Sequence, residues 1–92
     1  MPKEKIEFKI TVNFLKEGKK FIAYSPAFDL STCGSTFEQA KKRFEEIASI
    51  FIEETKKRGD LENVLAGLGW QKTKTSWQPP VLVGQETHSF AL

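Results

Sequence analysis

The chain has 92 residues, 14 Lys plus Arg, 12 Asp plus Glu and a formal net charge of +2. Hydrophobic residues at 39% and charged residues at 28% are those of an ordinary folded domain, which excludes a disordered polyampholyte. So small a net charge also excludes a dedicated polyanion binder.

The single cysteine, Cys33, and the single histidine, His88, cannot build a zinc site or an intrachain disulfide. Low cysteine usage points to a reducing, cytoplasmic compartment. The lysine-rich start, Lys3-Glu4-Lys5, runs into an alternating segment rather than an apolar one, so no signal peptide is expected. No run is long and apolar enough to span a membrane, and no membrane association is expected.

Residues 6–14 alternate without a miss: Ile6, Phe8, Ile10, Val12 and Phe14 on one face, Glu7, Lys9, Thr11 and Asn13 on the other. This predicts a strand with one buried and one wet face. Leu15 breaks the alternation, and Lys16-Glu17-Gly18-Lys19 predicts a hairpin turn. Phe21-Ile22-Ala23-Tyr24 predicts a second strand, ended by Pro26, and residues 29–33 a short third.

Ser35-Thr36-Phe37-Glu38 predicts a capping box with Ser35 as the cap and Glu38 reaching back. A helix over 36–58 follows, its apolar stripe at Phe37, Ala40, Phe44, Ile47, Ala48 and Phe51. Ile10, Val12, Phe37, Phe44 and Ile47 are the expected core. The outer face offers Glu38–Lys42, Glu53–Lys57 and Glu54–Arg58 as ion pairs, and Gly59 is placed to end the helix. Asp60 is the expected cap of a short second helix through Leu68, which Gly67 and Gly69 stop; Trp70 is expected to pack back. Residues 71–77 read as an edge strand, and Pro79-Pro80 as an extended break.

The predicted class is therefore α+β, in the order β-β-β-α-α-β. One long helix packs on a three-stranded antiparallel sheet, with a short second helix and one or two further strands. The domain covers 1–78. Residues 79–92 form an extended tail with Val81, Val83, Phe90 and Leu92 and no Lys or Arg. An apolar tail of this kind is expected to make an intersubunit strand in a homo-oligomer, with Trp77, Val81, Val83, Phe90 and Leu92 as the contacts.

No catalytic constellation is legible. Asp29 and Asp60 sit at turns, and Glu7 has no carboxylate partner with which to hold the ions of a nuclease. His88 lacks a nucleophile to activate, and Cys33 reads as a half-buried apolar residue. No cofactor, metal site or enzymatic activity is expected.

Ala23-Tyr24-Ser25-Pro26, followed by Cys33-Gly34-Ser35-Thr36-Phe37-Glu38-Gln39-Ala40, resembles the HicB-like antitoxin family over roughly residues 6–58. The resemblance implies a partial RNase H-like fold that lacks the nuclease carboxylates. It also implies a role: binding and neutralising a small HicA-type mRNA interferase toxin. The candidate partner contacts are Tyr24, Pro26, Phe28 and Asp29. Ala27-Phe28-Asp29-Leu30 departs from the Pro-Gly pair often found in the family's loop. The residues after Trp70 show no helix-turn-helix or ribbon-helix-helix pattern, so sequence-specific DNA binding is not expected. The alternative is a solitary HicB-like oligomeric interaction module with an unrelated partner.

Overall fold

A computed structural model describes residues 8–92. The element order is β1 (Asn13–Glu17), β2 (Lys20–Ser25), β3 (Leu30–Gly34), α1 (Phe37–Lys57), α2 (Leu61–Gly67), β4 (Gln71–Lys72) and β5 (Trp77–Gln78). The first three strands form an antiparallel sheet in the order β1-β2-β3, with α1 laid across β2 and β3. This is the expected two-layer α+β arrangement. None of the described helices is long and apolar enough to cross a membrane.

The predicted first strand is displaced. Ladder pairing begins at Asn13 and runs past Leu15 to Glu17, while Phe8–Val12 stay outside it. The reason is Pro26. Asn13 pairs with Tyr24, so the next outward positions set Thr11 opposite a proline that has no N–H to give. The Ser25 hydroxyl donates to the Thr11 carbonyl instead, at 2.8 Å. The alternation still operates: Phe8, Ile10 and Val12 pack into the core, half-buried. Ile6 and Glu7 lie outside the described residues.

Two clusters make up the core. Ala23 of β2 meets Ala40 and Phe44 of α1, with Val12 and Ile47 at the margin. Strand and helix approach so closely that a Cβ on Gly34 would stand 2.6 Å from the Ala40 backbone nitrogen. The second cluster joins Ala27, Phe28, Leu65 and Trp70. Phe37 is not core: at 42% exposure it sits over the outer strand β1, where it touches the exposed Phe14, ring centroids 4.6 Å apart.

The helix cap is one residue later than the sequence suggests. Thr36 is the N-cap, and its hydroxyl accepts from the Gln39 N–H at 3.0 Å. The Gln39 side-chain oxygen Oε1 reaches back and accepts from the Ser35 N–H at 2.7 Å and from the Ser35 hydroxyl at 3.0 Å. Gln39 therefore does what was expected of Glu38, because Thr36-x-x-Gln39 is also a capping box. The three helix-surface ion pairs do not close. Among the described residues, Lys72–Glu62 and His88–Glu86 are the pairs within 4 Å.

The chain leaves α1 through paired bonds, Gly59 N–H to the Lys56 carbonyl and Asp60 N–H to the Thr55 carbonyl. Asp60 occupies the N-cap position of α2 without a side-chain capping bond. The end of α2 repeats the paired-bond pattern: Gly69 N–H to Ala66, Trp70 N–H to Leu65. Gly69 has φ +91°, a left-handed conformation a side chain would resist. This turn swings Trp70 back onto Leu65. The segment expected to be an edge strand is a separate two-stranded ribbon, β4 with β5, closed by a Thr73–Ser76 turn. It does not join the main sheet.

Candidate interaction surface

Strand side chains alternate across a sheet. Ala23 faces α1, so its neighbours Ile22 and Tyr24 face the other side of the sheet. The register sets Leu15 and Cys33 beside Ile22, and Asn13 and Ser31 beside Tyr24. The sheet face opposite α1 thus carries an apolar row, Leu15–Ile22–Cys33, next to a polar one. Cys33 is exposed rather than half-buried, because it points away from the helix.

At the end of β2 the chain turns through Pro26–Asp29, and this loop is fixed from beneath. Phe28 stacks on Trp70, with centroids 5.5 Å and planes 12° apart, and meets Phe51 at 5.1 Å and Phe8 at 6.3 Å. The Trp70 indole N–H donates to the Ala27 carbonyl at 2.7 Å. Asp29 closes the loop at φ +51°, a left-handed conformation that aspartate tolerates better than most residues. The Tyr24 hydroxyl donates to Asp29 Oδ1 at 3.2 Å. Lost hydration first, then that bond and the Asp29 charge, raise the phenol above its ordinary pKa of 10.0.

Three of the four predicted loop contacts, Tyr24, Pro26 and Asp29, come together and are at least partly accessible. Phe28 is corrected: at 3% exposure it is the core residue that holds the loop, and it is not an accessible contact. The row Leu15–Ile22–Cys33 was missed. Its signal was Leu15 falling out of the strand-one alternation, together with Ile22 sitting in an unbroken apolar run.

The tail contacts divide. Trp77 is half-buried in β5, with Lys72 Nζ 5.8 Å above its ring, and packs on the Trp70 cluster of its own chain. Val81, Val83, Phe90 and Leu92 are exposed, Val83 at 95% and Phe90 at 86%. The base of the tail, Pro80–Leu82, lies beside Thr11, Asn13, Pro26 and Ala27 around a cleft of about 180 Å³. That is smaller than the roughly 300 Å³ at which ligand pockets begin. His88 pairs with Glu86 at 3.2 Å, both exposed. Among the described residues no group of three or more His, Cys, Asp or Glu converges.

No family model matches the chain, and neither a curated protein nor a solved structure matches it.

Proposed function

We propose that this chain is a HicB-like antitoxin-type protein that acts in the cytoplasm by binding and neutralising a small HicA-type mRNA interferase. The observation that carries the reading is the Pro26–Asp29 loop. It follows the Tyr24-Ser25-Pro26 strand end on which the family resemblance rests, and it is anchored internally by Phe28 and by the Trp70–Ala27 bond. A loop fixed in this way holds Tyr24, Pro26 and Asp29 in place before a partner arrives. Little ordering entropy then opposes association.

Tyr24 supplies the amphipathic ring typical of interface anchors, and Asp29 a fixed charge for a basic RNA-binding partner. The α+β layout, with its helix opening at Thr36-Phe37-Glu38-Gln39-Ala40, agrees with the resemblance over residues 6–58.

Co-expression tests it. The partner is a HicA-type interferase, sought first among the reading frames that flank this gene. The expected result is relief of growth arrest and co-purification of the two chains. Tyr24→Ala or Asp29→Asn should weaken the complex by about tenfold or more. Continued arrest with both proteins present would refute the reading.

The second reading, a solitary oligomeric module with another partner, is favoured by the exposed apolar tail, which the toxin reading leaves without a task.

A further inference from the structure

The accessible surface of the chain is 7840 Å². A folded monomer of this mass, 10.5 kDa, exposes about 5,400 Å². The radius of gyration, 15.9 Å, likewise exceeds the roughly 12 Å of a compact chain of this length. The surplus surface, about 2,400 Å², is well above the roughly 800 Å² that each partner contributes to a standard stable interface.

Residues 81–92 are exposed throughout, Val83 at 95% and Phe90 at 86%. Among the described residues this segment makes no backbone hydrogen bond, and none of its side chains joins either core cluster. Pro79 and Pro80 stiffen its exit. His88, Phe90 and Leu92 alternate, so as a strand they present one face.

The sheet has two edges. On β3, the Arg43 guanidinium donates to the Cys33 carbonyl at 2.9 Å, which blunts that edge. On β1, the described residues show pairing with β2 alone; its Phe14 is exposed beside Phe37, and Leu15 is exposed on the opposite face. Charge points the same way. The β1–β2 hairpin carries Lys16, Lys19 and Lys20 against Glu17, a net positive charge, whereas residues 81–92 carry Glu86 and no Lys or Arg. The base of the tail already lies beside Thr11 and Asn13, at the start of its own β1.

We infer that the tail of one copy adds as a strand to the β1 edge opposite β2 of a second copy, around His88–Leu92, with Phe90 seated at the Phe14–Phe37 pair. A two-fold axis beside β1 makes the exchange reciprocal, each tail lying along the other copy's β1. Backbone pairing along β1 supplies affinity, and the alternate side chains supply register. This inference is independent of the toxin reading, since both strands come from this chain.

Light scattering on the full chain tests it, with no toxin present. The expected mass is twice the monomer's; a monomer at all concentrations overturns it. Phe90→Asp alters a side chain that touches neither core cluster. This variant should keep its circular dichroism spectrum, become monomeric, and lose about tenfold or more of the exchange protection of those β1 amides that β2 leaves unpaired. A variant that stays dimeric removes the tail from the contact. A monomeric variant whose β1 amides are unchanged removes the β1 edge from it. Either result overturns the inference.

Discussion

The indole N–H of Trp70 donates a 2.7 Å hydrogen bond to the carbonyl of Ala27, 43 residues earlier, and both residues are buried. The bond ties the end of α2 to the loop after β2, so the second helix determines the shape of the candidate contact surface. Trp70→Phe keeps much of the ring and strands the Ala27 carbonyl, which should cost about 1–3 kcal/mol in denaturant melts. The Tyr24–Asp29 loop should exchange its amides faster in the same variant. An unchanged melt would mean that water or another donor replaces the indole.

Two glycines should respond with opposite signs to the same substitution. Gly34→Ala places a methyl 2.6 Å from the Ala40 nitrogen, and backbone on both sides has little room to yield. A loss of about 1–3 kcal/mol is expected, as for overpacked cores. Gly67→Ala, at the last position of α2, meets nothing within 4 Å and carries no positive φ. It should stabilise by about 0.4–1 kcal/mol. Thermal melts of the two variants check both signs.

The cap gives a third test. Thr36→Ala removes the acceptor of the Gln39 N–H and should cost about 1 kcal/mol. Ser35→Ala removes only an exposed contact between side chains and should cost less. Equal losses would place the cap at Ser35 after all.

Tyr24 titrates above its ordinary value, so the folded state holds the phenolic proton more tightly than the unfolded chain does. This contribution to stability is complete below the unfolded pKa of about 10 and is lost as pH rises through the folded value. Asp29→Asn removes the charge and should bring the phenol back toward 10, read from the ultraviolet absorbance of the single tyrosine. No movement on that substitution would leave hydration alone as the cause.

The elements most legible in the sequence were those with a strong period. Phe44 and Ala40 on the helix stripe are buried as expected, and β2, β3 and α1 lie within a few residues of their predicted positions. What period could not show was where partners run out. The first strand alternates over 6–14, yet its ladder begins at Asn13, because pairing depends on the proline across from Thr11. Phe37 is in phase with the stripe but meets only the exposed Phe14 of the outer strand, which leaves it 42% exposed. In the candidate surface, Tyr24 and Pro26 were marked by the strand-end motif on which the resemblance rests, and Asp29 by the loop that follows it. Phe28 looked the same in sequence, and its inward direction is decided by Trp70, far along the chain.

The proposed toxin-neutralising role places the contact with the mRNA interferase at the surface around Tyr24 and Asp29. The most direct measurement is RNA cleavage by a purified HicA-type interferase from a flanking reading frame, with this chain added in increasing amounts. Cleavage should fall to background near molar equivalence, and Tyr24→Ala should demand a clear excess. Full cleavage in the presence of excess wild-type chain would contradict the proposed role.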